Sequence, residues 1–324
     1  MRRSGMAGVL VATVACALAA CVPEPPGGAT TTTTLPAACG EVVEAPLPHG
    51  AYDDQVSADG RRLAYLMGNE VHVRELETGE DRVVAVLPAD RSYRGLRLTR
   101  DGTRVGVHTN DARTEQRRGW IIDVDTDMAT ELDWTSLDWP LWTTTHGFSG
   151  DLSVFVSSHG DVVRIVPTDG SPIRHLELAE IHRLQIDETG STLAARSQVW
   201  RQGSYREHGL ELGMWGGVTH LSHDGAQALV ETEDDVFLWY LESGLVEPLT
   251  LPTGEPVPGY GAVVSAGGVY VGGATVGGVE GVWRIDRTTG EATLMPPMRD
   301  GVTGMTDDGR VITSTTGQFF RCSG

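Results

Sequence analysis

The chain of 324 residues has no lysine, so arginine supplies all 25 basic side chains. That absence excludes phosphate loops that need a lysine, Schiff-base chemistry and serine–lysine nucleophile pairs. Cysteine is scarce, at four residues, and aromatics make up only 6%. No apolar run reaches the ~20 residues needed to span a bilayer. Positive charge is short as well. With 44 acidic residues the formal charge is −19, which repels a phosphate backbone and excludes nucleic acid as a partner. Glycine is in surplus at 41 residues, near 13% against the usual ~7%, and favours many tight turns over long helices. At 40% hydrophobic the chain can build a core.

Residues 1–21 read MRRSGMAGVLVATVACALAAC. Arg2 and Arg3 form a positive start, and the run from Met6 to Ala20 is apolar and too short to cross a membrane. It ends in Leu18-Ala19-Ala20-Cys21, which resembles the bacterial lipobox, in which the cysteine becomes the lipidated first residue after cleavage. Cys16 fits less well because Thr13 stands where an aliphatic residue is wanted, and a plain signal peptide is the other reading. Cleavage before Cys21 removes two arginines and no acid, leaving a charge of −21. Residues 21–38 form a Pro/Gly/Thr tether with nothing to bury. The expected organisation is a signal peptide over 1–20, the tether over 21–38 and one folded domain over 39–322.

A short pattern recurs along that domain: an apolar residue, Ser or Thr, one variable residue, Asp-Gly, then an alternating apolar strand. It occurs as Val56-Ser57-Ala58-Asp59-Gly60, as Leu98-Thr99-Arg100-Asp101-Gly102 and as Leu221-Ser222-His223-Asp224-Gly225. Variants stand at Ile186-Asp187-Glu188-Thr189-Gly190, Val264-Ser265-Ala266-Gly267 and Met305-Thr306-Asp307-Asp308-Gly309, and at Phe148-Ser149-Gly150-Asp151, read with one residue deleted. Six intervals cover the 249 residues from Asp59 to Asp308, a mean of 41.5. After each copy two further strands bracket a glycine turn, as in VHVRELETGEDRVVAVLP. Each unit is therefore a four-stranded meander that cannot bury both faces alone, whereas stacking around an axis can.

These repeats resemble the WD40-like, TolB-type β-propeller repeats of bacterial envelope proteins, over about residues 39–322. The expected fold is all-β: a seven-bladed β-propeller of four-stranded blades. The last copy supplies three strands, and residues 40–48 align with the fourth strand of other copies, so the N-terminal strand is expected to close the last blade. Closure sets Cys39 and Cys322 on either side of one hairpin turn, within disulfide reach. Two free thiols or a metal pair are the alternatives, although no further ligands lie nearby in sequence.

Most chemistry-bearing residues have a structural reading. The repeated aspartates cap turns. Asp123-Val-Asp125-Thr-Asp127 lacks the glycine and distal acid of a calcium loop, having Met128 and Trp134 instead, and reads as a strand 3–4 turn. The glycine-rich stretch Gly259–Gly281 has no following Lys-Ser/Thr. His220 and His223, three apart across a strand end, point to opposite faces. No metal site and no cofactor are expected.

Two features stand out as candidate ligand contacts. Trp134, Trp139 and Trp142 crowd the connection between the second and third units, together with Asp133 and Asp138. They form an aromatic platform for peptide or carbohydrate, or they pack between blades. The second is the column five residues before each Ser/Thr slot, where Tyr52, Arg94, Thr144, His182 and Tyr260 stand at the mouth of the axial channel, with Arg183 next to His182. The expected function is a monomeric, lipid-anchored module on the extracytoplasmic face of the cell membrane, binding an envelope protein, peptide or glycan. The alternative is a channel-centred lyase or hydrolase acting on an extracellular or cell-wall compound.

Overall fold

A computed structural model describes residues 47–109 without a break, 117–250 with gaps, and 263–321 chiefly as strands. Two compact units are present, Met1–Leu35 and Pro36–Gly324, and every described residue belongs to the second. Its described residues are all-β, with six four-stranded antiparallel sheets and one three-stranded sheet.

Sheet one is Ala51–Val56, Arg62–Met67, Glu70–Glu75 and Asp81–Val86. Sheet two is Tyr93–Leu98, Arg104–Thr109, Gly119–Asp123 and Met128–Glu131. Sheet three is Thr144–Phe148, Val154–His159, Val162–Pro167 and Arg174–Glu177. Sheet four is Gln185–Ile186, Thr192–Ala194, Gln198–Arg201 and Ser204–Glu207. Sheet five is Gly217–Leu221, Gln227–Glu231, Val236–Tyr240 and Val246–Pro248. Sheet six is Val263–Val264, Val269–Val276, Val279–Asp286 and Glu291–Leu294, and sheet seven is Val302–Met305, Val311–Ser314 and Phe319–Arg321. Within every sheet the strands pair in chain order.

The second strands, such as RLAYLM and VFVSSH, are buried on both faces along most of their length because neighbouring elements cover each sheet on both sides. The fourth strands MATE and SYRE are exposed throughout, at the outer edge. Apolar clusters join neighbouring sheets in sequence. Leu66 and Val73 of sheet one pack with Val105 and Trp120 of sheet two. Val156 and Ile165 of sheet three meet Leu193 and Trp200 of sheet four, and Leu238 of sheet five meets Trp283 of sheet six. First strands lie side by side from sheet one through sheet three and from sheet four through sheet seven, and the first two strands of sheet seven lie beside the first strand of sheet one. Such face-to-face stacking supplies the burial that a single meander lacks.

One repeat differs from its reading in the sequence. Sheet three has no deletion: Ser149 and Asp151 keep the usual spacing, and Leu152 takes the glycine position with φ of 62°, against 67° at Gly60 and 69° at Gly102. Its side chain is buried with Phe148, Phe155 and Trp134.

Candidate functional site

Antiparallel order puts the strand 1–2 and strand 3–4 turns at one edge of every sheet. The strand 2–3 turns and the sheet-to-sheet connectors share the opposite edge. The first edge is short and tied down by the repeat itself. Thr99 donates to Asp101 Oδ1 at 2.6 Å, the Thr103 amide donates to the same oxygen at 3.1 Å, and the Arg104 amide donates to Thr99 Oγ1 at 3.0 Å. Ser57 with Asp59, Ser149 with Asp151 and Ser222 with Asp224 repeat the arrangement, at 2.6, 2.8 and 2.7 Å. These bonds hold the Asp101 carboxyl below its usual range, the Thr99 hydroxyl contributing most. Neighbouring turns are also linked, since the Ala58 amide donates to Arg100 O and the Asp151 amide to Glu188 O, both at 2.8 Å. These aspartates are engaged in turns, as the spacing indicated.

Arginine reinforces the same edge. The Arg62 Nε lies 2.8 Å from Glu75 Oε1, one terminal nitrogen donates to Gly102 O at 3.0 Å, and the other meets Asp125 Oδ1 at 3.0 Å. Arg104, the equivalent residue of sheet two, donates to Asp151 O at 3.1 Å. Arg82 reaches Val124 O and Asp127 of the next sheet, and Arg206 reaches Leu241 O. A planar fork with several donors suits such multi-acceptor junctions, and a lysine ammonium does not. Asp123 takes the Thr126 amide and hydroxyl at 2.9 and 2.8 Å, the strand 3–4 turn read from the sequence.

The opposite edge carries the described connector residues, among them Leu132, Trp134, Thr143 and 208–212. Trp134 is there, 4% exposed, its ring 4.5 Å from that of Phe155 and 6.2 Å from that of Phe148. It fills the space above Gly119, where a Cβ would stand 2.5 Å from the indole. Trp134 thus serves the packing between sheets two and three and offers no exposed platform. Trp139 and Trp142 lie outside the described residues, as do His182, Arg183, Tyr260, Cys21, Cys39 and Cys322.

Of the predicted mouth column, Tyr52, Arg94 and Thr144 are described. Arg94 and Thr144 are exposed at the connector edge. Tyr52 turns back into its own sheet, donating to Gly68 O at 2.9 Å and packing against the cluster between sheets one and two. The cause is a bulge. Pairing skips from Tyr52 to Gln55 in sheet one and from Arg94 to Arg97 in sheet two, with irregularities also at Val218/His220 and Val302/Gly304. At the bulge Asp53 and Gly95 hold φ of 50° and 63°, and the Asp53 carboxylate accepts the Gly95 amide at 2.9 Å.

Below the bulge, a position two residues before the Ser/Thr slot recurs as Gln55, Arg97, Gln185 and His220. Sequence counting from the strand start passed over it. Gln55 Oε1 accepts the Leu98 amide at 3.3 Å, and His220 Nε2 lies 3.1 Å from Val264 O, so each touches the first strand of the next sheet. Burial pushes the Arg97 guanidinium below its ordinary range, and the Glu188 carboxylate opposes that shift. His146 lies one position earlier in its strand, its Nε2 2.7 Å from Ser158 Oγ, and burial lowers it to about 4. Among the described residues no group of three metal-ligating side chains converges.

No family model and no curated protein matches the chain. Solved structures do. A WD40 propeller chain of a mitotic checkpoint complex superposes with a TM-score of 0.60, covering 97% of this chain and 99% of that one, at 14% identity. The fold is a WD40-like β-propeller. At that identity the likeness shows fold alone.

Proposed function

We propose that the chain is a lipid-anchored β-propeller that scaffolds a protein partner at the extracytoplasmic face of the cell membrane, with peptide or glycan as the other ligands of the same kind. In this reading the fold is a monomeric ring of seven blades of the TolB-like sort, closed by residues 40–48 and a Cys39–Cys322 disulfide and held through Cys21. The observation that carries the binding role is the asymmetry of the two edges. Turns capped by their own Ser/Thr and Asp side chains present few free groups, whereas long connectors at the other edge leave room for a partner surface. The resemblance to a chain solved within a mitotic checkpoint complex supports protein binding as the role of such a surface.

A photo-cross-linking amino acid at Trp139, compared with one at Ser243 on the short-turn edge, tests this. A cross-linked envelope protein from position 139 alone is the expected outcome, and cross-links only from 243, or from neither, overturn the assignment. Cys21→Ala tests the anchor separately: the protein should leave the membrane fraction, and unchanged retention removes the lipid.

A further inference from the structure

We infer that the first strands build a small-molecule site for a neutral polyhydroxy ligand of the simple-sugar class, formed by Gln55, Arg97, Gln185 and His220 with Glu188. The inference rests on the closed ring proposed above, because only in a ring do the first strands of sheets one, two, four and five face a common axis.

Four observations carry it. These side chains share one repeat position just below the bulge, and all four are partly exposed although their strands are the innermost of each sheet. Gln55 and His220 are fixed against the next first strand by bonds to Leu98 and Val264, which sets their height along the axis. The Nε of Arg97 is sealed from solvent and has no hydrogen-bond partner, and the Gln185 amide makes no hydrogen bond among the described residues. A buried guanidinium nitrogen without an acceptor is costly, and a ligand oxygen would supply the missing partner. Finally, the same repeat position in sheet three is Gly147, where a Cβ would meet nothing within 4 Å, while sheet six has the buried Val263 there and sheet seven a glycine.

Chemistry narrows the ligand class. Arg97 and Glu188 pass together over Gly150, where a Cβ would collide with the Glu188 carboxylate and stand 3.1 Å from an Arg97 terminal nitrogen. Their charges oppose each other, so a free anion would meet Glu188 and a free cation would meet Arg97. Two amides, an imidazole and the opposed charges of Arg97 and Glu188 supply donors and acceptors in mixture, which is what vicinal hydroxyls require. Arg97 of sheet two and Glu188 of sheet four both reach Gly150 in the turn of sheet three, so in the proposed ring they would narrow that end. This favours a small molecule over a threaded peptide.

The test uses the purified full chain and a panel of glucose, galactose and mannose with their uronic acids, followed by titration calorimetry and thermal melting. At least one neutral hexose should bind and raise the melting temperature. Gln185→Leu, which keeps side-chain bulk, should weaken it about ten-fold, the cost of losing one or two hydrogen bonds. Arg97→Met should abolish binding; if that variant does not fold, Gln185→Leu and His220→Leu decide alone. No binding by any hexose, tighter binding of the acids, or equal binding by Gln185→Leu overturns the site. Disulfide mapping of Cys39 and Cys322 on the same preparation separates the failures: a mapped bridge with no sugar bound sinks the site alone, and two free thiols sink the closure on which it rests.

Discussion

At Leu152 the backbone and the side chain pull in opposite directions. A left-handed leucine costs roughly 1–2 kcal/mol relative to glycine, which the other turns use at this position. Its side chain is 1% exposed and packs on Phe148, where Gly106 leaves it room. Losing a buried leucine side chain costs about 2–5 kcal/mol. Leu152→Gly should therefore destabilise by about 2 kcal/mol although it restores the repeat, as read from denaturant midpoints. A stabilised variant would show that strain outweighs packing here. His108 offers a second conflict. It stands where sheet one has Leu66, opposite Arg94 as Leu66 is opposite Tyr52, and neither ring nitrogen has a partner. Burial, with Arg117 adding to it, lowers the imidazole from 6.5 to about 3. Between those values the unfolded chain takes up a proton that the folded chain refuses, so stability falls as pH drops below 6.5. His108→Leu should flatten that part of the pH–melting curve and add about 1–3 kcal/mol near neutrality by removing unsatisfied nitrogens. A curve of unchanged slope would place the acid sensitivity elsewhere.

Elements were legible to the extent that they repeat. The Ser/Thr-x-Asp-Gly signature located the strand 1–2 turns because each of its side chains has a fixed partner within the turn, so identity and geometry are tied. The first strands were less legible. Alternation predicts facing only while the pleat is regular, and the bulge at Asp53 and Gly95 shifts register inside the strand without a residue type of its own: one copy uses aspartate, the other glycine. Counting across it passed over Arg97. Trp134 was equally hidden, since its partner glycine, Gly119, is distant in sequence. The arginine junctions give some of the arginines a role that lysine could not fill. Arg62 serves acceptors on Glu75, Gly102 and Asp125 at once, two of them in the next sheet. Arg62→Lys retains the charge but not the fork, and should cost about 1–2 kcal/mol by chemical denaturation. The adjacent, exposed Arg61→Lys should be neutral, and equal effects at both positions would reduce the junction to simple charge.

At the scale of the whole molecule the unanswered element is the fourth strand of sheet seven. Among the described residues six sheets have four strands and sheet seven has three, and the first two strands of sheet seven lie beside the first strand of sheet one. Leu47, where the described chain begins, packs with Leu63 and Leu76 on the face of sheet one turned away from sheet two. That face also carries Tyr65, whose hydroxyl donates to Asp81 Oδ2 at 2.5 Å, with Arg74 2.7 Å from the same carboxylate. A buried polar face of this kind needs cover, because water reaching it would compete for every bond it contains. If residues 40–46 provide that cover as the missing strand, the two ends of the chain hold one sheet together, and a bridge between Cys39 and Cys322 would restrain nearly the whole unfolded domain. The chain-entropy argument gives such a bridge roughly 4–5 kcal/mol. Removal of residues 39–46 should then lower the melting temperature of the entire domain in a single cooperative transition, and reduction of the bridge should lower it by a smaller amount. An unaltered transition after deletion would mean that these residues belong to the tether and that the last sheet is complete with three strands.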